Sequence, residues 1–358
     1  MTTENEQSQH AADCVDGGAG SDVADAASWR DTVSVVMPCY NGASFIKEAL
    51  DSAMIQTHLP AEIIIVDDGS TDNSAEFITQ YASDHPQVPI RLIQQQNAGE
   101  PAARNAGIEA SNSNWVAALD TDDWWEPQKL ELQLKAAEEA GEECVLVHTA
   151  TLGQFPDGSC GKKQEKPTSM RTGWVTQSLL EPESIGHPSI MVRKTALTEI
   201  GGYDPSYKQA CDIDLYYRLS VVGTFVFVPV YLLNYRYHAG QMSASPVKQI
   251  RFHHRAAFEF FQKHPDKENE IGKDYIQGKL AEHVALKLQS LYWRRNLTGF
   301  RELIGYADEK QFDNEDIRHW KQKARWPNWM IRLKDRIDQM RGGKLAQMQS
   351  ANSMEGAA

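Results

Sequence analysis

From Thr32 to Leu119 the chain alternates between two hydrophobic periods. Short runs rich in β-branched residues, Val33–Met37 (VSVVM), Glu62–Val66 (EIIIV), Ile90–Gln94 (IRLIQ) and Trp115–Leu119 (WVAAL), read as strands. Between them, the stretches near Ser44–Gln56, Asn73–Ala82 and Pro101–Ala110 carry helical spacing. Parallel strands need crossovers, so this βαβαβαβ order predicts an α/β domain: a mostly parallel sheet with helices on both faces, three layers in all.

In such sheets ligands gather where the strands finish. The segments that follow the four strands are PCYNG, DDGSTDNS, QNAGEP and DTDD, all polar and turn-forming, and the topology places them on one edge. They bring together Asp67, Asp68, Asp120, Asp122 and Asp123. Three carboxylates within four positions repel one another and are poorly solvated beside a buried strand end, which is costly unless a cation sits there. Alternate residues at a strand end can point the same way, and hard carboxylate oxygens suit magnesium or manganese, so Asp120 and Asp122 are candidate metal ligands. Asp123 is a third, or it caps the helix that starts near Pro127.

Farther along, Leu152–Ser184 reads as loop-rich. SIGHPSIMVRKTALTEIGGYD predicts a strand and a short helix closed by Gly201, and DIDLYYRLSVVG a helix whose apolar side is Ile213, Tyr216, Tyr217 and Leu219. From about Pro246 to Gln339 helical spacing dominates. The expected organisation is a disordered acidic tail at 1–31, a catalytic domain at 32–245, a helical extension at 246–345 and a second disordered tail at 346–358.

Composition narrows the classes. Of 358 residues, 41% are hydrophobic and 24% charged, as in globular proteins, and the net charge of -13 argues against a nucleic-acid partner. Cys14, Cys39, Cys144, Cys160 and Cys211 are scattered, odd in number and without paired metal spacing, which favours a reducing cytoplasm. The first residues have no basic and then apolar signal pattern, and the apolar run Phe225–Leu233 is short and broken by Pro229, so any membrane contact is peripheral. One stretch has the opposite charge: residues 318–344 hold nine Lys and Arg against two Asp, around a stripe of Met330, Leu333, Ile337 and Met340 that Trp326 and Trp329 precede. Such a helix can lie on an anionic membrane, which would suit a lipid-linked acceptor, or can dock on the acidic body or pair two subunits.

Taken in order, VSVVMPCYNGASFIKEALDSAMIQT, EIIIVDDGSTDNS, NAGEPAARNAGI, VAALDTDDWW, GGYD, DIDLYYRL and YRYHAGQMS resemble the motif series of family 2 glycosyltransferases with the GT-A fold, from about Val33 to Ser243. The resemblance implies inverting transfer of a sugar from a nucleotide-diphosphate sugar, UDP-sugars being common in the family, to a hydroxyl of a glycan or lipid-linked acceptor. It identifies Asp120-x-Asp122 as the DxD-type metal motif, with Asp123 kept because some members use the last carboxylate. It also implies that Pro38 and Tyr40 line the base and ribose, and that Asp67 accepts a hydrogen bond from the base. Asp68 is expected to brace the turn with Gly69 and Ser70. Arg104, in a helix opened by NAGEP, either contacts the nucleotide, alongside Asp120, or forms an ion pair with Asp67 or Asp120.

CDIDLYYRL resembles the segment that ends in the family's general base, which here is Asp212. Cys211 replaces the glutamate that usually precedes it. Asp214 is expected to pair with Arg218 four residues on. His238 matches a histidine that in some relatives reaches the metal, and His187 and Trp124 fall where relatives line the sugar or acceptor pocket. A nucleotidyltransferase on the same fold would show a glycine-rich, arginine-containing loop after the first strand, which PCYNGASF lacks. A noncatalytic sugar-nucleotide or glycan-binding scaffold is the remaining alternative, and Asp120, Asp122 and Asp212 argue against it.

Overall fold

A computed structural model describes residues 32–161, 167–169, 171–182, 185–238 and 246–327. The two expected tails and most of the basic stretch, from 328 on, lie outside these residues. The strands and helices in chain order are β1 (Val33–Cys39), α1 (Ile46–Met54), β2 (Glu62–Asp67), α2 (Ser74–Asp84), β3 (Ile90–Gln94), α3 (Glu100–Ala110), β4 (Trp115–Ala118), β5 (Trp124–Trp125), α4 (Lys129–Ala140) and β6 (Cys144–Gln154). They continue with β7 (Met191–Arg193), α5 (Lys194–Glu199), α6 (Cys211–Leu219), β8 (Thr224–Arg236), α7 (Pro246–Lys263), α8 (Pro265–Ile271), α9 (Lys273–Trp293), α10 (Leu297–Glu309) and α11 (Glu315–Ala324).

One sheet holds all eight strands in the order β3-β2-β1-β4-β7-β6-β8-β5. The expected parallel block is β3, β2, β1 and β4. Every residue of β2 is buried, as are all but one of β1, because helices cover both faces; most positions are apolar, and the buried Ser34 and Glu62 satisfy each other by a hydrogen bond. The far half is mixed: β7 runs antiparallel to β4 and β6, β8 is parallel to β6, and β5 is antiparallel to β8. Pro229 has no amide to give a ladder, and it falls where the register steps from Val228 opposite Thr149 to Tyr231 opposite Ala150.

The strand order reverses between β1 and β4. After β3 the chain returns across β1, so the crevice at the carboxyl ends of these two strands is a topological switch point. Helix α3 makes the return and lies tightly on the sheet: a Cβ on Gly107 would come within 2.4 Å of Val36. The middle segment that reads as loop carries only the end of β6 and a single 3₁₀ turn at Ser178–Leu180 among its described residues.

The C-terminal helices share the core of the α/β part. Tyr216, Tyr217, Leu215 and Leu219 on α6 are fully buried, and the Tyr217 ring stacks on Phe260 of α7 at 5.1 Å. Leu215 joins the predicted apolar side of α6, whereas Ile213 is only half-buried against that core. Asn296 and Asn314 accept the amides of Gly299 and Ile317, capping α10 and α11 in the manner their side chains favour. No helix among the described residues is long and apolar enough to cross a membrane.

Candidate active site

The loops after β1 to β4 are tied to one another in sequence. Asn41, at φ 53°, donates its amide to Ser70 Oγ at 2.9 Å and accepts the Thr71 amide at 2.8 Å, joining the first loop to the second. Asp68 then receives the amides of Ala98 and Gly99, both at 2.8 Å, joining the second to the third. This corrects the expectation for Asp68: the β2–α2 turn is braced by Asp67, whose Oδ1 accepts the Ser70 amide at 2.9 Å. Successive strand residues face opposite ways, so the two neighbouring aspartates serve different loops. Gly99, at φ +92°, opens α3, a conformation that suits glycine at this bend.

The third loop reaches the fourth through Arg104. This guanidinium is 2% exposed and sits between two carboxylates: Nη2 donates to Asp120 Oδ1 and to Glu100 Oε1, both at 2.5 Å, and Nε donates to Glu100 at 2.9 Å. The expected ion pair of Arg104 is formed with Asp120 and not Asp67. Glu100 escaped the sequence reading, although a glutamate four residues before an arginine in a helix was the signal for it. Arg104 Nη1 is buried with no hydrogen-bond partner among the described residues.

Asp120, Asp122 and Asp123 offer carboxylate oxygens that all lie within 4.8 Å of one another, a group that can hold a metal ion. One oxygen of each is engaged: Asp120 by Arg104, Asp122 by His238 Nε2 at 2.9 Å, and Asp123 by the Arg236 amide at 2.9 Å. Asp123 is 1% exposed, and its Oδ2 has no partner. It does not cap a helix, since α4 begins after Gln128 without a side-chain cap. Burial, then the neighbouring Asp120 and Asp122 charges, hold Asp123 well above the usual carboxylate range. Asp120 is raised too, because burial and the Glu100 and Asp122 charges outweigh Arg104.

The two tryptophans that follow the acids hold this loop in place. Trp125 is buried and donates Nε1–H to the Pro188 carbonyl at 2.9 Å, while the Arg236 guanidinium lies 4.6 Å from the Trp124 ring. Arg236 also donates to the Asp122 carbonyl at 2.9 Å and pairs with Glu48, so the end of β8 closes over the acidic loop. His238 packs against Phe45 at 5.0 Å.

Asp212 lies in the first turn of α6, after Ala210 in the left-handed region at φ 54°. It forms no salt bridge among the described residues. Burial, with a smaller push from Glu100, raises it to about 6 against the Ile213 amide and the weaker pull of Arg104. Asp214 pairs with Arg218 as expected, and Arg218 also donates to the carbonyls of Ile200 and Gly202. Asn105 brings the GGYD segment to α3 through two 2.8 Å bonds with the backbone of Tyr203. His187 is 2.7 Å from the Tyr203 hydroxyl, with Nδ1 buried and unpartnered, and burial and Arg104 keep its imidazole neutral far below the usual range. Of the remaining candidates, Pro38 is paired with Val66 within the sheet, and Tyr40 stands 54% exposed at the end of β1.

Comparison with known proteins agrees with this architecture. The model of the glycosyl transferase family 2 matches residues 34–194. A chondroitin synthase of Pasteurella multocida is 31% identical over 195 residues, 54% of this chain but only 19% of that one. An uncharacterised glycosyltransferase of Rickettsia prowazekii is 28% identical over 225 residues, 61% of this chain and 68% of the relative. The chain thus spans about a fifth of the synthase and about two thirds of the second relative. Among solved structures, S. aureus TarS 1-349 in complex with UDP superposes with a TM-score of 0.54 at 16% identity, covering 82% of this chain and 92% of TarS 1-349, which shows a common fold. The ordered motifs, the strand order and these relatives converge on residues 34–194, the part of the chain that matches glycosyltransferase family 2.

Proposed function

We propose that the chain transfers a sugar with inversion from a nucleotide-diphosphate sugar, a UDP-sugar in particular, to a hydroxyl of a glycan or lipid-linked acceptor. The observation that carries this reading is a division of labour among acids: Asp120 is bound to Arg104 at the acidic loop, while Asp212, close enough to feel the same guanidinium, has no salt-bridge partner among the described residues. Proton removal from an attacking hydroxyl needs a carboxylate that is ionised near neutrality and not already paired. TarS, which shares the fold, has been solved with UDP and with UDP-GlcNAc, which supports a uridine donor.

Asp120, Asp122 and Asp123 would hold a divalent cation, magnesium or manganese. Their donor set of hard oxygens and the unpartnered Asp123 Oδ2 fit one. Bound there, the ion would neutralise charge gathering on the departing diphosphate. His238, already on Asp122, would complete or guard that set. Tyr40 presents an aromatic face for the base, and Pro38 shapes its edge. Asp67, fixed by the Ser70 amide, keeps acceptor capacity for a base N–H. Arg104 orients Asp120, and Trp124 and His187 would border the sugar and acceptor.

Asp212 would accept the acceptor's proton as its oxygen attacks the anomeric carbon from the face opposite the diphosphate. The chondroitin synthase relative supports a polysaccharide or glycoconjugate product, and the reaction is expected at the cytoplasmic side of the cell. A thermal-shift screen of nucleotide-sugars with manganese, followed by assay of the stabilising donors for release of nucleoside diphosphate, tests the reading. Stabilisation and turnover by a UDP-sugar are expected; turnover of none would reject it.

A further inference from the structure

Glu100 has no place in the mechanism above. It is the first residue of α3, set there by the Asp68 clamp on Ala98 and Gly99, and its Oε1 takes both Nε and Nη2 of Arg104. An acid in the first helical turn, four residues before an arginine, is ordinarily a solvated pair that adds a few tenths of a kcal/mol. Here the arginine is buried, and the extra negative charge acts unfavourably on Asp120, Asp212 and Cys211. A third carboxylate in a poorly solvated pocket is a cost that capping does not require, since Gly99 opens α3 without a side-chain cap.

What Glu100 accomplishes is geometric. With Nε and Nη2 both turned to one carboxylate oxygen, the guanidinium plane is fixed, and the same Nη2 meets Asp120. Nη1 is left buried and unpartnered among the described residues, and the guanidinium charge acts on Asp212. Held only by its single bond to Asp120, such a guanidinium would be free to turn Nη1 toward another carboxylate, and Asp212 is one on which its charge already acts. Building on the transferase reading, we propose that Glu100 is a positioning residue that anchors Arg104 on Asp120 and keeps it off Asp212, so that Asp212 stays unpaired and available to the acceptor hydroxyl.

The test combines a structure with a double-mutant cycle. A crystal structure of Glu100→Ala is expected to show Arg104 bonded to Asp212; Arg104 unmoved on Asp120, with Asp212 unpaired, would overturn the proposal. For kinetics, the probe is whichever UDP-sugar from a panel the wild type turns over fastest with manganese. Glu100→Ala should lower kcat about tenfold with the donor KM nearly unchanged. Glu100→Gln, which keeps an acceptor for Nε and protects the fold, should lie between. In an Arg104→Met background, which removes the guanidinium at similar volume, loss of Glu100 should have no further effect, whereas additive losses would mean that Glu100 acts independently of Arg104 and would reject the role assigned to it. A wild type that turns over no UDP-sugar would reject the transferase reading, and the Glu100→Ala structure would still decide where Arg104 goes.

Discussion

Asp212 and the acidic loop make opposite demands on their environment, and substitution separates them. Asp212→Asn is nearly isosteric and removes only the basic oxygen, so UDP-sugar affinity should persist while transfer falls by orders of magnitude, measured by calorimetry and product release in parallel. With Asp212 pushed up to about 6, its ionised form is lost as the pH drops through that value. The wild-type kcat/KM should therefore fall on the acid side with an apparent pKa near 6, and a profile flat to pH 5 would remove Asp212 as the base. Asp122→Ala takes away a cation ligand and the His238 contact together. Calorimetry should then show UDP binding much less dependent on manganese than in the wild type, where chelation should weaken it about tenfold or more. The acids and the guanidinium were legible as residues because each stands at a strand end or in a motif. Which acid Arg104 meets was not, because that depends on how α3 lies across β1 and β4.

At the scale of elements, the contact of α3 with β1 decides where Arg104 and Asn105 project. Gly107 permits that contact, and Gly107→Ala would push a methyl group into Val36. Overpacking of this kind costs about 1–3 kcal/mol, to be read from the midpoint of urea unfolding. The displaced helix should also weaken donor turnover. The parallel strands β1, β2 and β4 were readable because their buried runs are mostly apolar, and β3, half-exposed at the sheet edge, keeps enough β-branched residues to be read beside them. Helix α4 is legible only as a helix that starts near Pro127, and strands β5, β6 and β8 are not legible as strands. β5 is two residues long, and β8 contains a proline whose exclusion from the ladder becomes visible only once β6 lies beside it. Trp124 and Trp125 look alike in sequence, yet one faces Arg236 and the other is buried against Pro188.

Across the whole molecule, the helices after β8 extend the core of the α/β part and carry a cluster of imidazoles. His253, His254 and His283 lie with ring centroids 4.9–6.3 Å apart, and the Nε2 of each is buried and unpartnered. Burial holds all three below the usual histidine range, His253 at about 3, with no carboxylate partner strong enough to reverse it; Arg171 and Lys310 add to the effect, and Glu282 opposes it. The sign follows directly. The folded state resists protons that the unfolded chain accepts from about pH 6.5 downward, so this contribution to stability is intact above that pH and is lost progressively below it. The melting temperature should drop between pH 6.5 and 4, and His254→Phe should flatten that slope. An unchanged slope would show that the cluster does not govern acid unfolding.

The residues alone determined the alternation of strand and helix, the common edge on which four polar loops open, and the family to which their motifs point. They could do so because local periodicity and turn chemistry are properties of short segments. Tertiary structure decided the antiparallel far half of the sheet, the exchange of roles between Asp67 and Asp68, and the place of Glu100. Those outcomes depend on which segments, distant in sequence, share one poorly solvated crevice, where a single guanidinium has several carboxylates within reach and packing selects among them.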